Sequence, residues 1–65
     1  MNGAPMPERL LTSREVAELL RVHDNTLRTW RQEGQGPPAV LIGRHWRYPN
    51  GALSTWLDAR TVAAG

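Results

Sequence analysis

The first periodic stretch of the chain is LTSREVAELL, in which Val16, Ala17, Leu19 and Leu20 recur at helical spacing. The pattern predicts a helix over Ser13–Leu20. Thr12-Ser13-Arg14-Glu15 has the form of a capping box, with Thr12 as N-cap and Glu15 reaching back to it. Leu11 and Val16 stand at the spacing of a hydrophobic staple. Arg21-Val22-His23 leaves almost no connection before a second helical pattern, with Val22 tucked under the corner. His23 or Asp24 caps this second helix, and Gly34 is its natural stop after Gln32 or Glu33. Leu27 and Trp30 face inward there, with Thr26 beside them. Asn25, Arg28, Thr29 and Gln32 lie opposite, and none of the four helps to fill a core.

Gln35-Gly36-Pro37-Pro38 breaks the chain, and AVLIGRHWRYP then alternates apolar and polar positions. A two-residue loop, Gly43-Arg44, pairs Ile42 with His45 and Val40 with Arg47. A three-residue loop, Gly43-Arg44-His45, pairs Ile42 with Trp46 and gathers Val40, Ile42, Trp46 and Tyr48 on one face. The three-residue loop is the expectation, with Arg44 and His45 at the tip and Leu41 and Arg47 on the outer face. Asn50 is expected to cap a third helix whose apolar face is Leu53, Trp56 and Leu57. The fold class is therefore mainly α with a small β-hairpin: helix, tight turn, helix, two-stranded wing, C-terminal helix. Residues 1–9 are expected to be a flexible arm, 10–59 the domain, and 60–65 a frayed tail.

A length of 65 residues allows one small domain with a thin core. Cysteine is absent, which removes disulfides and thiolate metal sites from consideration. No apolar run is long enough to span a membrane and the N-terminus lacks a signal-peptide core, so a cytoplasmic, nucleoid-associated location is expected. The net charge is only +2, yet all eight basic residues are arginine. High-GC coding gives the same composition, so the location of the charge says more than its kind. Residues 21–48 carry five arginines against Asp24 and Glu33, a local charge of +3; the remainder sums to −1. This asymmetry points to a polyanion partner.

A helix-turn-helix braces one helix with another so that an outer face projects into a DNA groove. Arginine reads guanine bidentately, asparagine and glutamine read adenine, and threonine reaches a thymine methyl or a hydrogen-bonding edge. Asn25, Arg28, Thr29 and Gln32 supply all of these types, on a face read as free of acidic residues. Arg44 and His45 on the wing, with Arg31 and Arg47, have the character of phosphate contacts. The tryptophans fall on inward faces and are expected to fill the core rather than stack on single-stranded bases. His23 and His45 have no carboxylate or cysteine at metal-ligand spacing. No catalytic, metal or cofactor role is expected, and no small-molecule ligand.

LLTSREVAELLRVHDNTLRTWRQEG followed by IGRHWRYPNGALSTWL resembles the excisionase-type branch of the MerR-like winged helix-turn-helix domains, over about residues 10–59. The resemblance implies that the second helix enters the major groove and the wing around Arg44 touches the adjacent backbone or minor groove. It implies no chemistry. A protein of this kind binds repeated sites beside copies of itself, bends the DNA and helps a separate integrase to excise. MerR-type regulators usually add a dimerising coiled coil and a sensor segment, for which a chain of this length has no room; a free-standing domain is expected to be an excisionase. A small transcriptional regulator with the same contacts is the alternative, and an interaction adaptor a third. Many relatives carry glycine where Arg21 stands, serine or threonine at His23, and a basic residue at Leu41. An unusual backbone conformation is therefore expected at Arg21.

Overall fold

The computed structural model describes residues 9–62 of the chain; most of the expected N-terminal arm, residues 1–8, and the last three residues of the expected tail lie outside it. The elements in order are β1 (Leu10–Thr12), α1 (Ser13–Leu20), α2 (Asp24–Gln32), β2 (Val40–Ile42), β3 (His45–Pro49) and α3 (Asn50–Arg60). The three strands form one antiparallel sheet in the order β1-β3-β2.

Each helix forms where its ends are satisfied. The capping box at α1 is complete: Glu15 N–H donates to Thr12 Oγ1 at 3.0 Å, and Thr12 N–H donates to Glu15 Oε1 at 2.9 Å. Leu11 and Val16, the expected staple, are both buried in the core. Helix α2 ends as predicted. Gly34 takes φ +71°, and the N–H groups of Gly34 and Gln35 donate to the carbonyls of Arg31 and Trp30. Helix α1 ends with the same wrapping pattern, in which Val22 N–H reaches the Ala17 carbonyl and Arg21 N–H that of Glu18. There, however, the left-handed residue is Arg21, at φ 58° and ψ 42°. An arginine at this position carries a Cβ clash that glycine avoids. The His23 side chain makes no capping hydrogen bond; its backbone carbonyl accepts from Thr26 and Leu27 instead.

The core is small. Leu11, Val16, Ala17, Leu27, Tyr48 and Leu53 are buried, and Leu20, Val22, Trp30, Ala39 and Trp56 pack around them. Every helix and the central strand contribute, which is how a chain this short holds its parts together. Leu19, expected in the apolar stripe of α1, is 60% exposed, and Leu57 sits at the edge of the α3 face.

Three expectations are corrected. First, the expected helices and two-stranded wing are present, and β1 adds a third, unexpected strand to the sheet. Leu11 pairs with Tyr48 and Thr12 with Arg47, so Leu11, one half of the expected staple, also belongs to a strand. Second, the hairpin turns on two residues, Gly43 and Arg44. Ile42 pairs with His45, Leu41 with Trp46 and Val40 with Arg47. His45 is the first residue of β3, not the tip. Leu41 shares the Trp46 face, while Val40 and Ile42 share the outer face with His45 and Arg47. The three-residue loop gathers four apolar residues on one face. That advantage needs a buried face, and β2 is an edge strand exposed at all three positions. Gly43, at φ +63°, supplies the tight turn instead. Third, Asn50 does not cap α3. Pro49 occupies the N-cap position with no side-chain cap, and Asn50 N–H donates to the Arg9 carbonyl at 2.8 Å, prolonging the β1–β3 pairing.

Arg21→Gly relieves the left-handed strain at the end of α1. It is expected to raise stability by about 0.5–1 kcal/mol, after the entropic cost of glycine, in urea melts followed by tryptophan fluorescence. The Glu15 carboxyl is held below its ordinary 4.5, first by the Thr12 backbone N–H and then by Arg9, whose guanidinium lies 3.2 Å away. A lowered folded-state pKa contributes stability above the unfolded value and loses it as pH falls through the folded one. Stability is therefore expected to decline as pH drops below about 4.5, and Glu15→Gln to flatten that decline in melts repeated across the acid range.

Candidate nucleic-acid interface

Helix α2 follows α1 after three residues, with Leu27 buried between the helices and the sheet. That burial fixes which side of α2 faces out. Asn25, Arg28, Thr29 and Gln32 are all exposed, as the spacing predicted. They form two adjacent rows along the helix, Asn25–Thr29 and Arg28–Gln32. The first row continues into Glu33, which closes α2. An open cleft at this end is lined by Asn25, Thr26, Thr29, Trp30, Glu33 and Gln35. Glu33 corrects the expectation of a face free of acidic residues. Counting one more position along the row was the signal available in the sequence. A carboxylate here repels phosphate but accepts a hydrogen bond from cytosine N4.

The platform beneath this face is aromatic. The Trp30 and Trp56 rings lie 6.1 Å apart at 43°, so the inner side of α2 rests on α3. The loop after α2 then folds under Trp30. Gly36 has φ +81°, and a Cβ there meets Trp30 Cβ at 3.0 Å and Cε3 at 3.1 Å. Pro37, next along, is buried. The Gly-Pro-Pro break therefore packs against α2 rather than merely leading away from it.

The arginines separate by what they touch. Arg9 pairs with Glu15, and Arg14 with Glu18 at 3.7 Å. Arg60 lies over the Trp56 ring, 4.0 Å from its centroid. Arg47 is half-buried and donates to the Trp46 carbonyl at 3.1 Å. Arg31 is half-buried too; its Nη1 donates to Tyr48 Oη at 2.9 Å, and its guanidinium lies 4.9 Å from the Trp46 centroid. Arg21, Arg28 and Arg44 are exposed, and among the described residues none has an ion pair or side-chain hydrogen bond. All three belong to the basic segment, and Arg44 stands on the two-residue wing turn. His45 is exposed beside it, at the start of β3. Unpaired guanidinium groups of this kind supply an attractive field for a polyanion and cost no internal ion pair when they bind. Among the described residues no three His, Cys, Asp or Glu side chains form a metal-sized cluster, and no helix is long and apolar enough to cross a membrane.

A family model described as a helix-turn-helix domain matches residues 10–61 of the chain. No curated protein and no solved structure matches it.

Gly36→Ala is expected to destabilise the fold by about 1–3 kcal/mol, because the added methyl meets Trp30 in a backbone region that favours glycine. Urea melts give the magnitude, and the Trp30 environment is read from the near-ultraviolet circular dichroism.

Proposed function

The chain belongs to the helix-turn-helix domain family, a DNA-binding family that includes excisionase-like proteins, and from that premise we propose that it is a sequence-specific double-stranded DNA-binding protein acting as an excisionase. The observation that carries the DNA reading is the joint exposure of Asn25, Arg28, Thr29 and Gln32 on a helix whose opposite side is locked into the core. These side chains read base edges in the major groove. Arg44, His45 and Arg47 contact the flanking backbone or minor groove from the wing. The finer assignment rests on the resemblance of the LTSREVAELL opening and the IGRHWRYP hairpin to excisionases. In this role the protein binds attachment-site DNA next to further copies of itself, bends it, and favours excision by a partner integrase. It carries out no bond chemistry of its own. Bending supplies specificity at base pairs that no side chain touches.

A mobility-shift titration over a salt series tests the DNA reading. With three to four phosphates neutralised, log affinity is expected to fall against log salt with a slope of about −3. Arg28→Ala is expected to cost about 1–3 kcal/mol on the preferred sequence and to relax selectivity at one base pair. Binding indifferent to salt and to Arg28 removes DNA as the partner and leaves an interaction adaptor. An excision assay with an integrase encoded beside the gene tests the finer claim. DNA binding without any effect on excision identifies a small transcriptional regulator instead.

A further inference from the structure

Arg31 stands in the last turn of the proposed recognition helix, where its charge suggests a phosphate clamp. Its surroundings argue otherwise. One face of the guanidinium lies over Trp46, and Nη1 is engaged by the Tyr48 hydroxyl. Tyr48 is 1% exposed, so this hydroxyl has its partner inside the protein and not in solvent. Trp46 and Tyr48 lie on the same face of β3, two positions apart. The chain runs from Trp46 back through His45 straight into the Gly43-Arg44 turn. A side chain that holds both rings therefore holds the strand that carries the wing tip. Among the described residues, no other side-chain hydrogen bond or ion pair joins α2 to the sheet.

We propose that Arg31 is a positioning residue: it fixes the angle between the recognition helix and the wing by clasping Trp46 and Tyr48, and it does not contact phosphate. This rests on the DNA-binding reading given above. Base-reading side chains on α2 and the wing arginine engage one duplex together at lower ordering cost when their relative placement is set before binding. A guanidinium performs both halves of the task, placing its charge over one ring while an N–H of the same group donates to the next. A lysine ammonium carries the same charge but has no planar face and no fork. The buried hydroxyl of Tyr48 offers a separate handle. Removing it alters neither the charge nor the exposed surface of the protein, so it cannot delete a DNA contact directly.

The test uses the full chain and a fluorescein-labelled duplex selected from a randomised pool by the wild-type protein. Anisotropy titrations across a salt series compare wild type with Tyr48→Phe, Arg31→Gln, Arg31→Lys and Arg44→Ala. Tyr48→Phe and Arg31→Gln are each expected to weaken binding by about fivefold to tenfold, the size of one typical intramolecular hydrogen bond. Neither is expected to change the salt slope, whereas Arg44→Ala lowers its magnitude by about 0.9. Arg31→Lys, which restores charge without the fork, is expected to remain weak. The Tyr48→Phe, Arg31→Gln double variant is expected to bind no more weakly than Arg31→Gln alone. Hydroxyl-radical footprints of the two single variants at saturation should keep the wild-type protection beneath both α2 and the wing, and urea melts should show both variants folded at the titration temperature, so that the lost affinity reflects preorganisation and not a lost contact or a lost fold. Wild-type affinity in Tyr48→Phe, a slope change of about 0.9 in Arg31→Gln, or full rescue by Arg31→Lys overturns the proposal and leaves the DNA reading intact. Wild-type protein that fails to bind any duplex in a salt-dependent way overturns both.

Discussion

Tyr48 can be buried because one hydrogen bond satisfies its hydroxyl. The ring sits at the centre of the sheet, opposite Leu11 on β1, in contact with the small core that all three helices share. A phenol placed there without a partner costs about 1–3 kcal/mol, a large part of the stability available to a domain of this size. Arg31 supplies the partner from α2 at 2.9 Å. The residue that closes the core is thereby tied to the helix proposed to read DNA. Packing and site geometry are parts of one arrangement, and neither can be altered far without the other.

That coupling explains why the thin core suffices. Among the described residues the core is only six buried hydrophobic side chains, so the remaining order comes from ends and edges. The Thr12–Glu15 box starts α1, the wrapped carbonyls at Arg21 and Gly34 finish α1 and α2, and β1 pins the N-terminal side of the domain to β3. The exposed ion pairs at Arg9 and Arg14 add little in comparison, since surface pairs are screened and cost side-chain entropy. Arg21 is the place where the fold accepts strain: the three-residue connection demands a left-handed residue, and the chain meets the demand with an arginine.

The helices were legible because burial and capping leave local marks. The period of Val16, Ala17 and Leu20, the box at Thr12 and the glycine at position 34 all act within a few residues of each other. The exposed face of α2 was legible for the same reason, since Leu27 had to point inward. Legibility failed where burial did not constrain the chain. Strand β2 is exposed on both sides, so alternation could not choose between two hairpin registers. Strand β1 spans only three residues and its pattern coincides with a staple. The role proposed for Arg31 was hidden for a third reason: its partner lies 17 positions away, and its charge resembles that of the exposed, unpaired arginines.

An all-arginine composition has two readings, a bias in coding or a demand of the structure, and the contacts separate them by position. At Arg9 and Arg14 the guanidinium serves as a point charge beside a carboxylate, and lysine would do the same work. At Arg31 and Arg60 the group lies over a tryptophan ring while donating a hydrogen bond in its plane, to Tyr48 Oη and to the Trp56 carbonyl respectively. Lysine cannot reproduce that geometry. The physical requirement for arginine therefore falls on α2 and α3, the two helices whose tryptophans meet beneath the proposed recognition face. Arg21, Arg28 and Arg44 remain unengaged by the described residues, and it is their freedom, rather than the total of eight, that leaves the molecule with a surface for a polyanion.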